Sequence, residues 1–380
     1  MLPILRVNRN IRTIRRYRTI LGVLIKYGFG HFVEQLNIDY YLELGKRIVT
    51  RDRMHKELER LSQSQRLRMA MEELGPTFIK LGQLLSTRPD VLDQEFIEEF
   101  SKLQDEVPAV TLDQVKTQIQ RELGYPADEL FAEFSEQPIA AASIAQVHRG
   151  KLRSGEEVVF KVRRPGITRV VETDIDVLMG LAYLIEQHVP TVALYDPVGL
   201  VKEFRRSITR EMNFTREGHT VERFASNFAD STTVYIPKIF WDYSGEIVLT
   251  MEYVPGIKIS QLEKLRAQGY DLKEIARRGA DAFLQQVLGY GLFHADPHPG
   301  NIFVLPDQVI CMIDFGMVGR LGQDLKEQLL DLLQALLERD VERIISQLLY
   351  SGELTDTADL KNLRRDLHDF IEDYYDLVLQ

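Results

Sequence analysis

Cysteine is almost absent from this 380-residue chain, with Cys311 standing alone. One thiol forms no internal disulfide and excludes a cysteine-based metal site, and it suits a reducing compartment. Long apolar runs are missing too. No stretch reaches the roughly 18 uncharged apolar residues of a membrane-crossing helix. The nearest approach, TILGVLIKYGFGHFV (19–33), is interrupted by Lys26 and broken by Gly28 and Gly30. Nor is the N-terminus a secretory signal, because arginines run through its apolar part and no small-residue cleavage site follows. There is no internal repeat and no low-complexity tract. The net charge of −10 leaves no general surplus of positive charge for nucleic acid. What remains is 44% hydrophobic and 27% charged, a globular composition long enough for two or three domains or lobes.

One local absence stands out: residues 1–33 contain no acid, yet hold Arg6, Arg9, Arg12, Arg15, Arg16, Arg18 and Lys26. At helical spacing Ile11, Ile14, Tyr17, Ile20, Leu21, Leu24 and Ile25 share one half of the surface, and most of the cations share the other. Two partners suit such a basic amphipathic helix. One is an anionic membrane surface; the other is an acidic face of the protein itself.

The chain then divides by texture into segments 1–34, 35–108, 109–255 and 256–380. Residues 35–107 read as helical, interrupted at Pro76 and turned at STRPD (86–90). TLDQVKTQIQRELG (111–124) carries Thr111 as an N-cap and Gly124 as a C-cap. Short β-rich stretches follow, IAAASIAQVHRGKL, GEEVVFKVRRPG, TVYIPKIFWDYS and EIVLTMEYVPG, with a helical span over about 167–228 between them. Residues 260–290 are helical again. The strand QVICMID and a last helical region complete the order, giving an α+β chain with a helical N-terminal block, a β-rich lobe and a helical lobe.

Between those elements lies GLFHADPHPGNIFV (291–304), with two histidines, two prolines, an aspartate and an asparagine in one loop. Asp296 and Asn301 have the Asp-x4-Asn spacing of a phosphotransferase catalytic loop, and Asp314-Phe315-Gly316 follows after a strand. Upstream, VVFKV places Lys161 mid-strand, opposite Phe160 and Val162. A lysine in an apolar strand needs an anionic partner, and α/β-phosphate oxygens serve. Ala140–Ser143 stands where a kinase has its glycine-rich loop. Each sign alone is weak; four in order on the right elements point to ATP chemistry. His294-x-Asp296-x-His298 also admits a metal triad, but imidazoles would compete with the magnesium that ATP brings. The alternative gives His294 a backbone hydrogen bond near the DFG turn and His298 a turn or substrate-side position. Pro297 and Pro299 stiffen the loop in either case.

Together these strings resemble the UbiB/aarF-type atypical kinases, a family linked to ubiquinone, other prenyl-quinone and isoprenoid metabolism. FIKLGQLLSTRPD carries a KxGQ signature as Lys80, Gly82 and Gln83. PIAAASIAQVHRG is similar to the family's alanine-rich nucleotide loop, REMNFTREG to its ExD-type helix, and FHADPHPGN and IDFGMVG to its catalytic and metal loops. The likeness spans roughly residues 70–350. It implies a protein-kinase-like two-lobe α+β fold with a helical N-terminal extension packed over the active site, and ATP binding and ATPase activity with Mg2+, or Mn2+ in its place. It implies Asp296 as catalytic aspartate, Lys161 on the α/β-phosphates with Glu217 as helix partner, and Asn301 and Asp314 as metal ligands. Lys80 with Gln83 is the pocket-occluding pair, and Glu211 the ExD glutamate. Ile139, Ala140, Ala141, Ala142, Ser143, Ile144, Ala145 and Val147 line the nucleotide loop.

The chain departs from the pattern at Asn213, where the ExD motif has an aspartate; the amide keeps an oxygen and loses the charge. Three expectations about shape follow. Lys80 and Gln83, at i and i+3, point to one place. Glu211 and Glu217, six apart on one helix, point about 240° apart and so serve different partners. The alanines, which do not enter φ > 0 easily, favour a helical turn, either presenting amides to phosphate or simply packing.

Three functions remain open on the residues. The first is an ATP-dependent phosphotransferase or ATPase at a membrane surface, with a prenyl-quinone precursor or quinone-pathway enzymes as partners. The second is an ATP-gated lipid-binding or scaffold module; the third, an ordinary protein kinase, fits the alanine loop and KxGQ block poorly. The resemblance implies membrane association, at the cytoplasmic face of the inner membrane in a bacterium or in mitochondrion or plastid in a eukaryote. The chain stops at DYYDLVLQ, without the hydrophobic C-terminal tail expected of the family.

Overall fold

A computed structural model describes residues 2–36, 58, 60–103, 107–189, 195–295, 297–351, 354 and 359–378, with backbone alone for 2–11 and 374–378. The chain is α+β and divides into two compact units. Unit 1 comprises Met1–Glu222 and Pro237–Val254, and unit 2 Arg223–Ile236 and Pro255–Gln380.

The helical part of unit 1 begins with α1 (Leu2–Lys26), then α2 (Gln63–Leu74) and α3 (Pro76–Leu85). Ser62 opens α2 in a capping box with Gln65. Gly75, at φ +96°, separates α2 from α3, and Pro76 starts α3 where its missing N–H costs nothing. From Ile20 onward the apolar face of α1 is buried within unit 1, whereas Ile14 is exposed. Ile20, Leu21, Val23 and Tyr27 are buried in one cluster with Ala70 and Met71 of α2 and with Val171, Ile175 and Leu178 of a later helix. Charge fixes the register. Arg16 donates to both oxygens of Asp174 at 2.5 and 2.9 Å and to the Leu74 carbonyl at 2.7 Å. Lys26 and the Tyr27 hydroxyl both reach Glu73, at 2.5 and 2.8 Å. Of the two partners open to this helix, residues 16–27 take the protein's own acids.

After α4 (Leu112–Leu123), capped by Thr111 with Gln114 and closed by Gly124 in the left-handed region, comes an antiparallel sheet. Its strands are β1 (Phe131–Phe134), β2 (Ala140–Ala141), β3 (Ala145–Leu152), β4 (Glu157–Arg163) and, after β5 of unit 2, β6 (Val248–Glu252), in the order β1-β3-β4-β6 with β2 also on β3. Val158, Phe160 and Val162 alternate inward on β4 against Phe131, Val115 and Ile119. Each fully buried side chain of that size contributes about 2–3 kcal/mol.

The helical span expected over 167–228 is three helices. They are α5 (Ile167–His188), α6 (Pro197–Glu211) and α7 (Phe214–Asn227). Gly180 of α5 accommodates Tyr17 of α1, since a Cβ there would lie 2.6 Å from the tyrosine hydroxyl.

Unit 2 holds β5 (Val234–Tyr235), β7 (Ile257–Lys258), β9 (Ile302–Val304) and β10 (Ile310–Met312) in the order β5-β10-β9-β7, and a two-stranded antiparallel sheet of β8 (Leu292–His294) with β11 (Val318–Arg320). Helix α8 (Leu272–Leu284) runs into a π-helical turn at Gln285–Tyr290 that stops at Gly291, φ +63°. Three last helices, Gln323–Leu337, Val341–Tyr350 and Leu360–Val378, close over Ile344, Ile345 and Ile371.

Candidate active site

Lys161 leaves β4 on the face away from Phe160, where it meets Glu217 of α7. Its ammonium donates to Oε1 and Oε2 at 2.9 and 3.0 Å, and the side chains keep 16% and 4% of their exposure. Glu217 sits in the first turn of α7. The Lys161 ammonium also stands 5.3 Å from the Phe214 ring centroid.

The alanine stretch corrects the expected helical turn. Ala140 and Ala141 form β2, in register with Val147 and Gln146 of β3, and the Ile139 amide donates to the Val147 carbonyl at 2.8 Å. Ladder pairing outweighs alanine's helical preference here. Ala142, Ser143 and Ile144 make the turn, closed by the Ala142 amide on the Ala145 carbonyl at 2.8 Å. None of the three alanines takes a positive φ. Ile144 and Ala145 are buried while Ile139 is exposed. The Ser143 hydroxyl is fully buried and has no hydrogen-bond partner among the described residues. An unused donor there costs about 1–3 kcal/mol. It fits a loop built to meet phosphate oxygens.

Lys80 of α3 pairs with Glu211 at the end of α6, 2.5 Å apart and mostly buried. Gln83 goes elsewhere, its amide donating to the Leu103 carbonyl at 3.2 Å. The shared helix face therefore does not produce a shared target. Gly82 explains the glycine between them: a Cβ at that position would overlap the Leu103 side chain and crowd the Met71 sulfur.

Glu211 and Glu217 do serve different lysines, but not from one helix as expected. The chain breaks at Met212–Asn213, and Asn213 accepts from the Arg216 amide at 3.2 Å as the N-cap of α7. Arg163 secures the break by donating to the Met212 carbonyl at 2.6 Å. Asparagine caps as well as aspartate. In this chain the ExD position therefore ends one helix and starts the next.

In unit 2, Asp296 lies outside the described residues. Its neighbours are held firmly. The His294 amide donates to Gln286 Oε1 at 2.9 Å, and the His294 ring lies 3.2 Å from the Ile313 carbonyl and packs on Phe315. His298 Nδ1 accepts from the Gly300 amide at 3.1 Å, and the Asn301 amide donates to the His298 carbonyl at 2.8 Å. The Ile313 amide closes on the Asn301 carbonyl at 2.9 Å, tying the loop to the DFG strand. Asp314 is exposed and holds φ +57°, a conformation unusual outside glycine, with the Gly316 amide on its Oδ1 at 3.2 Å. Both histidines thus have turn-building contacts. No cluster of three or more His, Cys, Asp or Glu able to hold a metal occurs among the described residues.

The profile of the ABC1 atypical kinase-like domain matches residues 102–348. The chain belongs to this family. Among curated relatives, this ABC1-family chain is 42% identical over 306 residues to Protein ACTIVITY OF BC1 COMPLEX KINASE 7, chloroplastic, of Arabidopsis thaliana, covering 80% of the chain and 44% of the relative. It is 38% identical over 346 residues to the Probable protein kinase UbiB of Aeromonas salmonicida, covering 90% and 63%. It is also 41% identical over 318 residues to the uncharacterized protein sll1770 of Synechocystis, covering 83% and 54%. The chain thus spans about half the length of these relatives. A solved structure of Rv3197 with erythromycin, from Mycobacterium tuberculosis, superposes with TM-score 0.58 over 77% of the chain and 74% of its own, at 23% identity. That likeness supports the kinase-like fold of the ABC1-family chain.

Sequence reading missed Arg164, Gln146 and Gln286, each of which holds backbone near a motif. Arg164 adjoins a recognised strand, but nothing in its neighbourhood announces that its partners lie some 22 and 56 residues away.

Proposed function

We propose that this ABC1-family chain binds Mg-ATP and cleaves its γ-phosphate, as an atypical kinase or ATPase working at a membrane surface in support of ubiquinone, prenyl-quinone or isoprenoid lipid metabolism. The observation that carries this is the Lys161–Glu217 pair. A lysine fixed by two hydrogen bonds within the apolar middle of β4, in the same lobe as a turn with an unused buried hydroxyl, is prepared for anionic oxygens. Lys161 holds the α/β-phosphates in this reading, and Glu217 keeps its ammonium aimed. Ala140–Ile144 cover the nucleotide. Asp296 accepts the proton of the attacking hydroxyl or water. The amide oxygen of Asn301 and the carboxylate of Asp314 are hard donors of the kind magnesium takes, and these two residues hold it. The bound ion offsets the negative charge of the phosphates.

No helix among the described residues is long and apolar enough to cross a membrane. Because Ile20, Leu21 and Val23 are buried within unit 1, contact with an anionic lipid surface in this reading uses the exposed Arg15 and Ile14 of α1. Quinone-pathway enzymes or a prenyl-quinone precursor are the proposed partners beyond ATP and ADP.

Steady-state ATP hydrolysis with Mg2+, with and without anionic liposomes, beside the Asp314→Asn variant, tests the reading. Turnover that rises with liposomes and disappears in the variant is expected. Tight ATP binding without Asp314-dependent turnover would replace the enzyme with an ATP-gated binding module.

A further inference from the structure

Arg164 follows β4 directly, and three of its side-chain nitrogens point to main-chain carbonyls on two separate segments. Nε donates to the Ala142 carbonyl at 2.7 Å, Nη1 to Pro108 at 2.9 Å and Nη2 to Val107 at 3.4 Å. Its own amide donates to the Ile144 carbonyl at 2.9 Å. One residue therefore grips the alanine turn on both sides of Ser143 and fastens it to the strap 107–110.

The strap is built into the same assembly by other bonds. The Val107 amide donates to the Ala141 carbonyl at 3.2 Å, and the Val110 amide to Gln146 Oε1 at 2.9 Å. Gln146 belongs to β3, directly opposite Ala141 in the β2–β3 register. The strap thus touches both strands of the alanine hairpin, and Arg164 closes the turn between them. A guanidinium suits this position because its planar fork directs several N–H groups at fixed angles; a lysine ammonium on a flexible stem does not bridge the same carbonyls.

We propose that Arg164 is the positioning residue of the nucleotide turn, locking Ala142–Ile144 to the strap so that the turn meets the phosphates in a preset geometry without glycine's conformational freedom. This rests on the nucleotide-binding reading above. Burial holds the Arg164 pKa below its ordinary value, as befits a cation whose described partners are neutral carbonyls. A glycine-rich loop loses more conformational freedom when a ligand orders it. Here the order is supplied in advance by one side chain, which lowers the entropic cost of binding.

The test uses the full chain with Mg-ATP, comparing wild type with Arg164→Lys and Arg164→Met in ATP Kd, in the split between KM and kcat, and in melting temperature. The expected result is an ATP Kd and KM raised about tenfold in Arg164→Met and less in Arg164→Lys, with kcat little changed. A lowered melting temperature with unaltered KM in both variants would make Arg164 structural only and overturn the proposal. Should both variants fail to fold, amide exchange in the wild type decides. Mg-ATP should slow residues 107–110 together with 140–146, and protection confined to 140–146 would also overturn it. A wild type that binds no nucleotide would remove the functional reading itself, an outcome distinct from binding that is insensitive to Arg164.

Discussion

Replacing Glu217 by Gln tests the ion pair at the centre of the site. The exchange keeps volume and one acceptor oxygen but leaves the Lys161 ammonium in a pocket where only 16% of its side chain sees solvent. At 2.9 Å and an effective dielectric near 20, the lost attraction is about 6 kcal/mol before solvation is counted. Rehydration of the lysine and the surviving acceptor return part of that, and removal of one partner from a buried pair costs about 3–5 kcal/mol in general. The lower end of that range, about 3 kcal/mol, is expected here. Urea unfolding of wild type, Glu217→Gln, Lys161→Met and the double variant gives the coupling directly, and it should exceed about 2 kcal/mol. The double variant should be more stable than Glu217→Gln alone, because it carries no orphaned cation. A coupling below about 0.5 kcal/mol would refute the view that these two side chains depend on each other.

Gln286→Leu removes the acceptor of the buried His294 amide; kcat for ATP hydrolysis should fall severalfold while KM stays near wild type, and an unchanged kcat would show that this contact does not hold the catalytic loop. Asn213→Ala should cost about 1 kcal/mol in urea unfolding through loss of the α7 cap, whereas Asn213→Asp should match or slightly exceed wild type because its charge faces the helix N-terminus. The His148 prediction concerns pH. The Gln146 carbonyl oxygen is taken by Val110, so its amide donates to His148 Nε2 at 2.7 Å, while Nδ1–H donates to the Ser135 carbonyl at 2.9 Å. Only the neutral ring satisfies both, and burial lowers its pKa. Stability from this network is therefore present above the unfolded value of about 6.5 and lost as pH falls from there through the lower folded value. Melting temperature should drop from pH 7.5 to 5.5 in wild type and drop less in His148→Gln; equal drops would count against the assignment.

The order of the motifs and the inward alternation of β4 could be read from the chain because they depend on local spacing. So could the caps at Thr111 and Gly124. The break at Met212–Asn213 was hidden. Asparagine is tolerated inside helices, and the cap becomes visible only with Arg163 reaching across from β4. The β character of Ala140–Ala141 was hidden for a related reason, since it comes from pairing with β3 rather than from the alanines. For α1, periodicity identified an apolar face without identifying what would cover it. Asp174 and Glu73, which settle the question for residues 16–27, lie 158 and 47 residues from the cations they bind.

The stretch from Glu211 to Glu217 receives two lysines that come from unrelated parts of the chain, Lys80 from α3 and Lys161 from β4. Seven residues thus act as a balance beam, with one anchor on the helical extension and the other on β4. The Asn213 cap is the pivot between the arms. A ligand that draws Lys161 away from its acid would unload one arm, and the strain would register at Lys80 with no separate messenger.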